Sequence, residues 1–241
     1  MHNLASVGVN ILLRKPQQGS ATLSVLPWDE ISRLTEKVVF LVELGTTTGT
    51  CFAVSISPAK NKKNKIYTFA TAWHVIEKLT HSNKPIKLTT ADKSKAYEIM
   101  HDRYEIFREG PKELDTGIIE VETEMPLVSK KNLLPMLDFD ELLPRGSEIA
   151  AVGFPGLANE EFCFFRGVVS GYGKRPPSYL VDGVVLNGVS GGPAVDQRAR
   201  IIGLVSSYLP NRIDRNTTLP GLTTLIPISS IRSLMGHRGS D

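Results

Sequence analysis

Three short stretches of the 241-residue chain hold residue types that could together attack an acyl carbon. The most suggestive is Leu186-Asn187-Gly188-Val189-Ser190-Gly191-Gly192-Pro193-Ala194. A serine hydroxyl is a poor nucleophile unless a base takes its proton and the developing oxyanion is stabilised. Gly188 has the freedom to aim its N–H into a pocket, and the N–H of Ser190 can join it. Gly191 and Gly192 leave no side chain beside the nucleophile, so a substrate carbonyl can come close. Taken alone, the run also fits a glycine-rich turn between two strands. The second stretch, Phe69-Ala70-Thr71-Ala72-Trp73-His74-Val75-Ile76, ends an apolar strand on a histidine. The third, Glu113-Leu114-Asp115-Thr116-Gly117-Ile118-Ile119, opens one on an aspartate. Each alone fits an ordinary strand-end residue. Their conjunction carries more: a nucleophilic serine needs a base titrating near neutrality, and that base needs an acceptor to fix its tautomer.

The surrounding sequence reads as many short strands. KVVFLVEL, GTCFAVSIS and KNKIYTFATAW are β-branched and aromatic runs broken by Gly and Thr. Further strands are predicted at 85–91, 94–101, 103–108 and 116–122. After a polar, Pro-containing stretch from Pro126 to Arg145 come SEIAAVGF, FCFFRGVVSGY, SYLVDGVVL, PAVD, ARIIGLVSSYL and LTTLIPI. Asp29 is a candidate cap for a short helix through about Glu36, and Ser229–Met235 for a terminal one. The basic run Ala59–Lys65 reads as a solvated hairpin loop or, alternatively, a contact for an acidic partner. Closely spaced strands with turn signals between them indicate barrels or sandwiches rather than a parallel sheet.

Composition sets bounds. A net charge of +3, from 28 basic and 25 acidic residues, is too small to indicate a nucleic-acid partner. Cys51 and Cys163 stand far apart, outside any CxxC, which points to a reducing compartment, with one long-range bridge as the alternative. Scarce histidine argues against a zinc site. The first twenty residues lack the features of a secretory signal, and no run reaches the roughly 20 apolar residues of a membrane span. A cytoplasmic protein without cofactor, metal or membrane partner is expected.

Thr71-Ala72-Trp73-His74 resembles the histidine motif of trypsin/chymotrypsin-fold serine proteases, T-A-x-H. Gly188-Val189-Ser190-Gly191-Gly192-Pro193 resembles their G-x-S-G-G-P motif, and Asp115-Thr116-Gly117 their D-x-A segment, with Gly117 in place of Ala. Gly49-Thr50-Cys51-Phe52, Val152-Gly153-Phe154-Pro155 and Arg166-Gly167-Val168-Val169-Ser170 resemble the G-S-G-F, V-G-Y-P and R-G-x-V-S strands of the family. The likeness covers roughly residues 37–235 and is nearest in style to bacterial trypsin-like and HtrA-like protease domains without a PDZ module. It implies an all-β fold of two antiparallel six-stranded barrels with a short C-terminal helix. The corresponding organisation is an extension over 1–36, a first barrel over 37–125, a linker over 126–145, and a second barrel with terminal helix over 146–241.

The resemblance further implies a serine endopeptidase with His74 as base, Asp115 as orienting acid and Ser190 as nucleophile. Gly188 and Ser190 would form the oxyanion hole, and Ser206 would stand beside Asp115. The substrate pocket would be lined by Val184, Ser206, Ser207 and Tyr208. Val184 as floor implies cleavage after apolar residues, whereas Asp182, if the loop shifts, would favour basic ones. Tyr208 stands where many relatives have Gly. Val189 precedes the nucleophile where digestive members carry Asp, so activation by a newly cut N-terminus is not expected. Protein or peptide substrates are implied, with a regulatory protein partner as a further expectation and 1–36 as either its contact surface or a packing arm. The competing reading is a catalytically silent binding module on the same fold.

Overall fold

The computed structural model describes residues 24–81, 83–108, 114–138, 141–175, 177–183, 186–212 and 218–236. Helix α1 (Trp28–Thr35) leads into a first sheet of seven antiparallel strands. These are β1 (Val39–Leu44), β2 (Thr47–Pro58), β3 (Lys65–Thr71), β4 (Ile86–Thr90), β5 (Ala96–Ile99), β6 (Tyr104–Phe107) and β7 (Gly117–Thr123). Their order is β5-β4-β1-β2-β3-β7-β6. The expected six-stranded closed barrel is thus a seven-stranded sheet whose edges, β5 and β6, do not pair. Each edge strand has four residues, and the 3₁₀ turn His101–Arg103 between them turns the chain without forming a ladder. Inside the sheet, Phe40 and Phe69 meet edge to face at 5.3 Å and are buried.

The second half is a closed barrel of six strands: β8 (Glu148–Gly153), β9 (Cys163–Lys174), β10 (Pro177–Asp182), β11 (Pro193–Asp196), β12 (Ile201–Arg212) and β13 (Thr218–Pro227). Closure runs β10-β13-β12-β11-β8-β9 and back to β10. The run SYLVDGVVL is a strand only as far as Asp182. Helix α3 (Ile228–Gly236) follows, burying Ile228, Ile231 and Leu234 at three-residue spacing.

Segments outside the strands tie the halves together. Trp28 of α1 packs edge to face on Phe164 of β9 at 6.0 Å under the Arg166 guanidinium, while Ile31 is fully buried. Between the halves, Leu134, Leu137 and Leu143 are buried, and Met136 bridges Ile201 in parallel. Arg200 holds this segment with a two-pronged bond to Glu141 and a further one to the buried Asp196. Helix α3 rests against β7 of the first sheet as well as β12 and β13. Among the described residues, no helix is long and apolar enough to cross a membrane.

Candidate active site

The chain turns at the end of β3 into a short helix, α2 (Trp73–Ile76), which carries His74 at the rim of the first sheet. Asp115 lies two residues before β7, the strand paired along the whole of β3. That pairing brings Thr71 opposite Gly117, so His74 and Asp115 emerge side by side. The Asp115 carboxylate takes the main-chain N–H of His74 on Oδ1 at 2.9 Å and the ring Nδ1 on Oδ2 at 2.7 Å. With Nδ1 donating, the acceptor lone pair of the ring is on Nε2. Gly117 is glycine for a steric reason: a Cβ there would stand 2.7 Å from Ile76 Cδ1, the apolar anchor of α2. Gly49 accommodates Val75 of the same helix in the same way, with a would-be contact of 2.6 Å.

From the second barrel, Ser206 on β12 donates its hydroxyl to Asp115 Oδ2 at 2.7 Å, and its carbonyl accepts from Ser190 Oγ at 3.4 Å. Ser206 therefore touches both ends of the predicted set. The hydrogen bond to Asp115 holds the His74 imidazole above its ordinary pKa, against the opposing effect of burial. Burial alone would raise the Asp115 carboxyl. The hydrogen bonds from His74 and Ser206 outweigh it, and the carboxyl sits below its ordinary value. Both shifts favour an ion pair over two neutral groups.

The loop around Ser190 is built by alternating peptide orientations. The Asn187 carbonyl accepts from Gly156 N–H at 3.0 Å, the Gly188 carbonyl from Thr50 Oγ1 at 2.8 Å, and the Val189 carbonyl from Gly192 N–H at 2.8 Å. In a planar trans peptide, N–H and C=O point in opposite directions. Anchoring the carbonyls of Asn187 and Val189 therefore turns the N–H groups of Gly188 and Ser190 the other way. Among the described residues neither N–H has a hydrogen-bond partner. Gly188, at φ +101°, is also pressed against Phe154, whose carbonyl would be 2.4 Å from a Cβ. Gly191, at φ +85°, backs onto Thr71 and Ala72, with no room for a side chain between the loop and the strand leading to His74.

Thr50 is the residue that motif reading passed over. Fully buried, it donates Oγ1 to Gly188 O, accepts Phe154 N–H at 3.2 Å, and donates its own N–H to Ser190 O at 3.0 Å. Its position in the Gly49–Phe52 strand was legible, but the contacts that give it a role span more than 100 residues of sequence.

The predicted substrate pocket is only partly visible. Val184 lies outside the described residues, and Tyr208 is placed by its main chain alone, opposite Thr223. Ser207 is exposed. The Asp182 side chain is exposed at the end of β10, and the buried Thr223 hydroxyl donates to the Gly183 carbonyl just beyond it. Both cysteines are free thiols, so the long-range bridge is not formed, and burial drives Cys51 far above its usual range. Among the described residues, no group of three or more His, Cys, Asp or Glu side chains is placed to hold a metal ion.

Comparison with known proteins places this geometry in a class. Residues 49–204 match the trypsin-like peptidase domain, and the chain belongs to that family. It is a serine endopeptidase with a chymotrypsin-like fold. Among solved structures it is similar to the Rv3671c protease of M. tuberculosis in an inactive form, at 18% identity and TM-score 0.61, covering 87% of this chain and 90% of that one. It is also similar to Deg5 (20% identity, TM-score 0.62, covering 85% and 90%). A serine endoprotease from Yersinia pestis gives 16% identity and TM-score 0.63, covering 88% of this chain and 66% of that one. A search of curated protein sequences finds no significant match.

Proposed function

We propose that the chain hydrolyses peptide bonds through Ser190, His74 and Asp115. The observation that carries this reading is the continuous arrangement around Asp115, with His74 Nδ1 and Ser206 Oγ both on Oδ2 at 2.7 Å and Ser190 bonded to the Ser206 carbonyl. In the first step the Ser190 hydroxyl turns from that carbonyl to His74 Nε2. It gives up its proton there as Oγ attacks the substrate carbonyl carbon. The carbonyl oxygen becomes an oxyanion held by the N–H groups of Gly188 and Ser190, each such donor being worth about 10²–10³ in rate. Collapse expels the amine, which takes the proton from His74 and leaves an acyl ester on Ser190. Water, deprotonated by the same imidazole, then hydrolyses the ester. Asp115 remains ionised throughout, fixing the tautomer and stabilising the imidazolium.

The substrate pocket is floored by Val184 in this reading. A cationic side chain there would lose hydration without gaining a partner, whereas an aliphatic one gains roughly 25 cal/mol per Å² buried. Cleavage after Val, Ala or Leu follows, and the outward Asp182 does not compete for the pocket. The same proposal includes a cytoplasmic setting, to which the two free thiols are suited, and a protein partner that controls the activity. One experiment tests the core of it. A fluorophosphonate probe should label wild-type protein on Ser190 and leave Ser190→Ala unlabelled, and a peptide library should be cut by the former alone. Equal cleavage by both proteins would move the nucleophile elsewhere, and a dominant Lys or Arg before the cut would overturn the pocket.

A further inference from the structure

A cleft of about 1050 Å³ opens on the first sheet, bounded by the C-terminal turn of α1, the β2–β3 hairpin, the β4–β5 turn and Pro126–Asn132. Its walls include Lys95 at one end of the cleft and Lys65 at the start of β3. The far end of β3, some six residues or roughly 20 Å away, leads into His74. None of His74, Asp115 and Ser190 lines the cleft, so it is separate from the proposed active site. Five exposed lysines ring the opening: Lys37, Lys62, Lys65, Lys95 and Lys130. Among the described residues none of the five has a carboxylate within ion-pairing distance, and none makes a side-chain hydrogen bond. A sixth cation, Arg33, is already paired with Asp29 at 2.9 Å.

Two carboxylates also line the cleft, and neither cancels this excess. Glu36 is one charge against five. Asp92, held below the ordinary carboxylate range by Thr90 Oγ1 and by the N–H and hydroxyl of Ser94, is a second full negative charge, so five lysines less two carboxylates leave an excess of three positive charges. The lining is mixed: beside polar Ser57, Ser129 and Asn132 it holds Ile56 and Tyr97, both half-buried, over the buried Tyr67 and Leu127. The phenol of Tyr97 bonds the Pro126 carbonyl at 3.4 Å, so its ring face, rather than its hydroxyl, is left for contact.

We propose that this cleft binds an extended acidic peptide, one whose carboxylates alternate with apolar side chains. Size and chemistry both favour that occupant. The volume is at the upper end of the range for ligand sites and far exceeds a small anion. Flexible lysines act as separate point charges, which suits several carboxylates spaced along a chain rather than one compact anion. Exposed Lys–carboxylate pairs each contribute little, so affinity requires apolar side chains in the cleft as well as charge at the rim. The side chains of an extended strand alternate in direction, sending one set down and the other out to the lysines. The hairpin Ala59–Lys65 thereby takes on the second of its two sequence readings, with Lys62 and Lys65 as the contacts.

The inference does not depend on the assignment of the triad, and its test keeps the two apart. The probe is a fluorescein-labelled peptide of alternating Glu and Leu, followed by anisotropy on the full chain, with a second peptide carrying Gln for every Glu. Binding of the Glu peptide is expected and of the Gln peptide is not. The double variants Lys62→Glu/Lys65→Glu and Lys95→Glu/Lys130→Glu should each weaken it roughly tenfold or more. Ile56→Ser, with every lysine intact, should also weaken it, and melting curves establish that each variant is folded. Pretreatment with fluorophosphonate should leave binding unchanged. Equal binding of the Gln peptide, indifference to the lysine variants or to Ile56→Ser, or loss on fluorophosphonate treatment would each overturn the proposal. So would duplex DNA of matched charge competing as well as the unlabelled peptide, since the surface would then be a general polyanion site.

Discussion

Two hydrogen bonds of 2.7 Å converge on one oxygen of Asp115, and their consequences are readable as pH dependence. His74 is raised above its ordinary value, so its favourable pairing is fully present below about pH 6.5 and is lost as pH rises through the folded-state pKa. Asp115 is lowered, so its contribution is present above the ordinary carboxylate range and is lost as pH falls through its folded-state pKa. The proposed mechanism requires the neutral imidazole of His74 as base. The acid limb of kcat/KM should therefore have its midpoint above about 6.5, and in Asp115→Asn it should fall toward that value while kcat drops by about 10⁴-fold. A pH–rate profile of both proteins checks this, and an unmoved limb would remove Asp115 from its role. Thr50 makes a second residue-scale prediction. Thr50→Val keeps the shape but leaves Phe154 N–H and Gly188 O without their buried partner, a stability cost of about 1–3 kcal/mol. The Gly188–Val189 peptide loses its anchor, so kcat should fall by up to roughly 10²-fold with KM little changed. A fall confined to KM would show that Thr50 shapes substrate binding instead.

At the scale of elements, the pairing of β3 with β7 and the seating of α2 set the distance between base and acid. Ile76 is the contact that joins them, filling the space a Cβ on Gly117 would take. Gly117→Ala should cost about 1–3 kcal/mol through overpacking. Ile76→Val removes the Cδ1 atom in the way, so the double variant should be more stable than the sum of the two single changes allows. Chemical denaturation of the four proteins in the cycle measures this coupling, and simple additivity would show that α2 shifts freely. How far such elements could be read in advance differs by type. Strands such as 39–44 and 117–123 were visible because β-branched and aromatic runs report a buried sheet. His74, Asp115 and Ser190 stood out because a histidine, an aspartate and a serine at strand edges are the residue types that the proposed base, acid and nucleophile require. All seven strands of the first sheet have a counterpart among the predicted runs, but the unclosed edge was not legible, because closure depends on whether four-residue strands meet, which no local pattern encodes. Leu134, Leu137 and Leu143 are buried in a stretch that reads as polar, since spacing alone does not show what covers them.

For the molecule as a whole, His74 and Asp115 belong to one half and Ser190 to the other, so the proposed site exists only while the halves stay docked. Thr50 fastens the first sheet to the Ser190 loop from inside, and the two terminal helices fasten it from outside. Helix α1 reaches across to the second barrel through Trp28 on Phe164 and through Leu26 N–H on the Gln197 carbonyl, with Ile31 fully buried between. Burial at that position predicts a specific failure. Ile31→Ala removes three carbons from a fully buried site and should cost about 2–5 kcal/mol. For a chain of this size each kcal/mol lowers Tm by about 2–4 °C, giving a drop on the order of 5–15 °C. No group near Ser190 is altered, so kcat and KM at 25 °C should stay close to wild type. If α1 holds the halves together, fluorophosphonate labelling during a temperature ramp should fail before the far-ultraviolet circular dichroism does, because the site opens once the halves separate. If α1 merely adds to one common core, both signals should be lost at the same lowered temperature. The two curves recorded on one sample of Ile31→Ala decide between a clasp and a shared core.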